Sequence, residues 1–145
     1  MSERVLFHIQ GLHTLSGEKG EEADKIEVIN VAEYDYKNGV HYIRYEEIME
    51  GIEGITKSMV KVKPGSVEVV KRGTVNNTML FETGKLNESL MLIPEGELQV
   101  GVKTSSVEMT EDESGLHIRI QYAMMMDYVT VAECDLTMWM EYVEK

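Results

Sequence analysis

The sequence has one cysteine and two prolines in 145 residues, and lysine plus arginine number 14 against 26 aspartates plus glutamates. Each scarcity excludes something. A lone thiol, Cys134, cannot close an internal disulfide, and its neighbours Glu133 and Asp135 oppose the thiolate that a nucleophile requires, so it reads as a small core residue. The formal net charge of −12 repels a phosphate backbone and no basic stripe offsets it, so nucleic acid is not an expected partner. No run approaches the ~18 apolar residues of a spanning helix, and Met1-Ser2-Glu3-Arg4-Val5 lacks the basic and apolar regions of a signal peptide. No membrane partner and a cytoplasmic location are the expectations, and the sequons Asn76-Asn77-Thr78 and Asn87-Glu88-Ser89 then have no chemical consequence.

Catalytic and cofactor signatures are also missing. There is no Gly-x-Ser-x-Gly elbow, no phosphate loop ending in Gly-Lys-Ser/Thr, no Gly-x-Gly-x-x-Gly and no His-Glu-x-x-His. Gly84-Lys85 is followed by leucine, with Met79 where the first loop glycine belongs. Histidines at 8, 13, 41 and 117 lack zinc-site spacing. No metal, no cofactor and no catalytic residue are therefore expected, and the many carboxylates read as a solvated surface.

What is present is a period of two. Apolar residues make up 43% of the chain and charged residues 28%, ordinary globular usage, and the length suits one domain over residues 1–145 with a substantial core. Leu116, Ile118, Ile120, Tyr122, Met124 and Met126 share one face of a segment whose other face holds His117, Arg119, Gln121 and Asp127, a strand with one wet side. Leu98, Val100 and Val102 alternate likewise, but Val107 and Met109 have opposite parity, which predicts a bulge at Ser105-Ser106. Cys134, Leu136, Met138 and Met140 are out of phase with Val129 and Val131, predicting another near Ala132. Shorter strands are expected at about 4–12, 26–36, 40–48, 55–63, 66–73, 76–83 and 87–93. Asn38-Gly39, Pro64-Gly65 and Asp112-Glu113-Ser114-Gly115 mark turns. Segment 16–25 is polar and Gly-rich and reads as a loop, and residues 46–53 are the one helical candidate. Roughly nine or ten strands joined by short turns in chain order predict an all-β fold, a single antiparallel up-and-down barrel of about 8–10 strands.

Several motifs, taken in order, carry a family resemblance: Tyr42-Ile43-Arg44-Tyr45-Glu46-Glu47, Lys71-Arg72-Gly73, Met79-Leu80-Phe81-Glu82-Thr83-Gly84, Pro94-x-Gly96 and Val102-x-Thr104. In order and spacing they resemble the YwiB-like family of small uncharacterised bacterial proteins, over roughly residues 3–142. The resemblance implies a calycin-type, lipocalin-like β-barrel and supplies no activity. Where that family tends to show Tyr-x-Thr-Pro-x-Gly, this chain reads Met91-Leu92-Ile93-Pro94-Glu95-Gly96, with two polar groups replaced by apolar ones.

A barrel of this size is either filled by side chains or holds one small ligand. Segment 40–48 sends ionisable groups inward whichever face is chosen, and inward charges need partners. One reading pairs Arg44 with Glu46, or Glu47 with Arg72, as a register-fixing salt bridge. The other has Tyr45, Glu47 and Arg72 line a pocket mouth, with Arg72 as a fork for a carboxylate or phosphate. Met124, Met126, Met138 and Met140 share inner faces, with Met79, Phe81 and Tyr122 nearby, and such side chains serve as core filler or as the wall of an adaptable apolar pocket. Trp139 has outward parity and is expected beneath a loop or a second subunit, with Met125 extending an apolar patch that would suit a homodimer. The leading expectation is a binding protein for a small apolar or amphipathic ligand held in the Met-rich interior by Tyr45, Glu47, Arg72, Met79, Phe81, Tyr122 and Met124. The alternatives are a filled barrel that works through its surface, as a homodimer for instance, and an enzyme at the barrel mouth.

Overall fold

The computed structural model describes residues 3–15, 24–48, 53–113 and 115–143. Ten strands follow one another: β1 (Glu3–Leu15), β2 (Asp24–Lys37), β3 (Val40–Glu47), β4 (Thr56–Lys63), β5 (Ser66–Gly73), β6 (Asn77–Glu82), β7 (Leu86–Ile93), β8 (Gly96–Asp112), β9 (Gly115–Met126) and β10 (Val129–Tyr142). All ladders are antiparallel, and the order across the sheet is β6-β5-β4-β3-β2-β1-β10-β9-β8-β7. Every consecutive pair from β1 to β6 and from β7 to β10 is hydrogen-bonded, and β10 returns to β1. The result is the up-and-down barrel that the short turns predict.

Closure is nearly complete. Between β6 and β7 one backbone bridge joins Asn76 and Leu92, at 2.9 and 2.8 Å. Asparagine amides do the rest: Asn77 Nδ2 donates to Ser89 Oγ and to the Leu90 carbonyl, each at 3.1 Å, and Asn87 Nδ2 donates to the Leu80 carbonyl at 2.9 Å. These bonds satisfy backbone groups that a missing ladder would leave open.

Local chemistry sets the register. Asn38 and Gly39 have φ of 52° and 80°, the left-handed pair of a two-residue turn whose twist matches the flanking strands. Gly65, at φ 76°, follows Pro64 in the second predicted turn. Ladder shifts fall between Thr104 and Ser106 and between Thr130 and Ala132, at the two places where the alternation slips phase. The core is built from inward positions of nearly every strand, including Val5, Phe7, Ile43, Val60, Val62, Val67, Phe81, Ile118, Ile120, Met138 and Met140, each at most 2% exposed. Met79, Met109 and Met124 pack against it.

Two local expectations change. Glu46 and Glu47 continue β3 as strand, so helix does not begin there, because both are held in ladder with β4 opposite Lys57 and Thr56; residues 49–52 of that candidate lie outside the described residues. Of the loop expected over 16–25, Asp24 and Lys25 belong to β2 and pair with His13 and Leu12, and 16–23 lie outside the described residues.

Candidate functional site

The barrel wall has a split. β2 and β3 pair only from Lys37–Val40 to Glu33–Arg44. Beyond that point Tyr45, Glu46 and Glu47 stay with β4, and Asp24–Ala32 stay with β1. The strands diverge because each follows its other neighbour, and a cleft of about 760 Å³ opens at the fork. Its size is within the range of small-molecule pockets.

Strand parity lines this cleft mostly with outward side chains. One cross-strand row reads Arg4, Glu33, Arg44, Met59, Val70 from β1 to β5, and a second, two residues along, reads Glu46, Lys57, Arg72 from β3 to β5. Val31, Met59 and Val70 give the apolar surface. Tyr45 and Ser58, which point inward, also reach the cleft because the wall is open there. Four cations and two carboxylates line it, in a chain of net charge −12. Arg44 donates to Asp35 Oδ2 at 2.6 Å, and this bond, more than any other influence, holds the Asp35 carboxyl below the usual carboxylate range. Lys57 and Arg72, by contrast, face each other directly across β4 and β5. Like charges so placed repel. Arg72 Nη1 donates to the carbonyls of Lys71 and Asn77 at 2.8 and 3.4 Å and Nη2 to Thr78 Oγ1 at 3.5 Å, all neutral acceptors.

Behind the cleft lies an inward polar cluster. Glu47 Oε1 accepts from Ser58 Oγ at 2.6 Å and from Lys71 Nζ at 2.5 Å. The charges expected in β3 are therefore partnered differently: Glu47 takes Lys71 rather than Arg72, because Lys71 has inward parity on β5 and Arg72 outward, and Arg44 takes Asp35 rather than Glu46. Burial, reinforced by Glu47, raises the pKa of Tyr45 far above that of an ordinary phenol, so its hydroxyl stays protonated.

Of the seven residues expected to form a site, Tyr45 and Arg72 meet at the cleft, and Glu47 sits one hydrogen bond behind it through Ser58. Phe81 and Tyr122 pack together inside the barrel, with ring centroids 4.8 Å apart. Met79 and Met124 lie against the same core and away from the cleft lining. Cys134 is buried beside Tyr122 and burial raises its thiol pKa, an inert setting. The Trp139 indole stacks on His8 of the adjacent strand, centroids 4.8 Å apart and 8° from parallel, so a histidine covers one face of the ring and the residue is half-buried. Met125 does not extend that surface: Trp139 pairs with His117, eight residues along β9 and about 26 Å from Met125 at strand rise. Among the described residues no group of three or more His, Cys, Asp or Glu side chains is placed to hold a metal. A second depression of about 700 Å³ lies over β8–β10 and is lined by Lys103, Tyr122, Glu133 and Asp135 among others. Asp135 is engaged by Arg119 through two bonds of 3.0 and 2.7 Å.

Arg4, Arg44 and Lys57 were not among the expected site residues. The signal for Arg44 and Lys57 was charge segregation: residues 37–73 contain seven of the 14 cations and only five of the 26 acids, whereas Arg4 lies outside that stretch and had no such signal.

Comparison with known proteins places the chain. Residues 8–138 match the family described as Domain of unknown function (DUF1934). The chain belongs to the DUF1934 family. The uncharacterized beta-barrel protein YwiB of Bacillus subtilis (strain 168) is 33% identical to this chain over 91 residues; the match spans 63% of this chain and 63% of that protein, under two thirds of its length. The crystal structure of the ywiB protein from Bacillus subtilis superposes with a TM-score of 0.84 at 24% identity, covering 99% of this chain and 94% of the other. The DUF1934 assignment agrees with the resemblance carried by the ordered motifs, and the structural match shows the shared barrel fold.

Proposed function

We propose that the protein binds a small anionic amphipathic molecule in the cleft between β2 and β3. The observation that carries this reading is the Lys57–Arg72 pair, two cations directly opposite each other in register beside the apolar patch of the cleft, with Glu46 opposite Lys57 on its other side and no carboxylate opposite Arg72 on β4. A fold that keeps like charges together there gains when an anion sits between them. A carboxylate or phosphate head is held by the Arg72 fork and the Lys57 ammonium, and its hydrocarbon body covers Met59, Val70 and Val31. The ligand class is the one expected from the sequence; its place moves from the Met-rich interior to the outer wall, because inward positions are occupied by core side chains.

The test is equilibrium binding, read by native mass spectrometry and calorimetry, of dodecanoate and dodecyl phosphate against dodecylamine and acetate. The two long-chain anions bind at one molecule per chain; the amine and acetate do not. Arg72→Gln and Lys57→Gln each weaken binding at least about tenfold, the scale of one charge-assisted hydrogen bond. Equal binding of the amine, or unchanged affinity in both variants, refutes the reading.

A further inference from the structure

The split leaves a strand edge open. From Lys25 to Ala32, β2 is paired with β1 on one side, and on the other no ladder with the described part of β3 is formed. The two-residue turn makes Lys37 and Val40 a hydrogen-bonded pair, and alternation from there turns the N–H and C=O of Lys25, Glu27, Ile29 and Val31 toward this edge. Both faces carry exposed apolar side chains: Ile26 and Val28 on the inner parity are 50% and 41% exposed, Ile29 and Val31 on the outer 62% and 63%, with Lys25, Glu27 and Asn30 as the polar positions between them. Edges of this kind are normally blunted by proline, a bulge, an inward charge or charged side chains along the edge. This segment has only the last, Lys25 and Glu27 at one end, and none of the other three.

We infer that this edge is an interface with a second copy of the chain, β2 pairing with β2 antiparallel about a two-fold axis at Val28. In that register Lys25 faces Val31 and Glu27 faces Ile29, so the four residues that point to the edge bond only to one another, with about eight backbone hydrogen bonds in all. Val28 meets Val28 of the partner subunit at a closely spaced, non-hydrogen-bonded position. Lys25 lies diagonally across from Glu33 of the partner subunit, within reach of opposite charges on long side chains. The segment is thus complementary to itself in backbone hydrogen bonding, with Val28 on Val28 and Ile29 diagonal to Ile29 as its apolar contacts and the Lys25–Glu33 diagonals set against one Glu27–Glu27 diagonal, the pattern of a two-fold interface. It does not depend on the ligand assigned to the cleft.

Cysteine cross-linking with sedimentation tests it. Facing positions of the non-hydrogen-bonded kind lie within disulfide range, and the natural thiol, Cys134, is buried. Val28→Cys is expected to form a covalent dimer under mild oxidation, whereas Ile26→Cys, whose opposite number is Asn30, does not. Val28→Lys, which sets two ammonium groups face to face on the axis, weakens the dimer at least tenfold in sedimentation while circular dichroism keeps the strand signal. Arg72→Gln leaves the dimer intact, which separates this result from failure of the ligand reading. A strict monomer at several hundred micromolar overturns the inference, as does a dimer in which Ile26→Cys links as readily as Val28→Cys, or an edge that takes an extended peptide and never its own copy.

Discussion

His41 shows how one side chain ties the barrel to pH. It is 3% exposed, and its Nδ1 lies 2.7 Å from the hydroxyl of Tyr34. Burial pushes the Tyr34 phenol up to about 12, so the hydroxyl stays protonated, and the tautomer of neutral His41 sets which of the two donates. Burial also lowers the pKa of His41, and nearby Glu111 offsets part of that. Tyr36 lies across its ring, centroids 4.6 Å apart. An unfolded histidine takes its proton near pH 6.5 and the folded one only at lower pH, so the unfolded state binds more protons between those values. Stability is therefore full above about pH 6.5 and declines as pH falls through that point toward the folded value. Thermal melts from pH 7.5 to 5.5 are expected to show a falling Tm in the native protein and a shallower fall in His41→Gln; parallel curves would refute the role given to His41. Alternation along 40–48 made it plain that ionisable groups must point inward. The identity of their partners was not legible, since Lys71 meets Glu47 only once the register between β4 and β5 is fixed, and no feature of 40–48 contains that register.

Turn chemistry governs the elements. The Asn38-Gly39 turn was readable because both residues accept a left-handed backbone at small cost. The turn between β9 and β10 uses the same conformation with Asp127 at φ 49° and Tyr128 at φ 68°, and an aromatic residue gives no such signal. Tyr128 is 72% exposed and so has little packing to lose. Tyr128→Gly is expected to stabilise the fold by about 1 kcal/mol, read from the urea midpoint at unchanged slope. A lower midpoint would mean that the ring contributes more than its exposure suggests. Bulges at 104–106 and 130–132 were legible because a phase slip in an amphipathic strand has few other solutions. The parting of β2 from β3 was not, because both segments alternate normally and the difference lies in which neighbour each strand follows.

For the whole molecule, closure rests on unequal joins. Eight of the nine ladders connect strands consecutive in sequence, the ninth joins β1 to β10, and the remaining seam between β6 and β7 depends on Asn76, Asn77 and Asn87. Removing the two side-chain seals together, Asn77→Ala with Asn87→Ala, is expected to speed amide exchange in β6 and β7 by at least about tenfold and leave β1 and β10 unchanged. Uniform acceleration would instead mean that the seam and the barrel open as one unit. At this scale the sequence was most informative: a meander of about ten strands with short turns has little choice but to curl on itself. The sheet's charge is less even than the total of −12 implies, because residues 37–73 carry a net charge of +2 and the rest −14. Eight of the twelve residues lining the cleft come from that sector, whose sign favours the anionic ligand proposed for it.

The pairing of the first strand with the last also has a mechanical meaning. Val5 lies opposite Tyr142 and Leu15 opposite Ala132, so the start of β1 and the end of β10 lie at the same rim. A force that draws those two points apart loads the ladder one bond at a time from that rim, as a zip opens, and never shears its bonds together. The core draws on nearly every strand, yet under tension the barrel is expected to yield along one line.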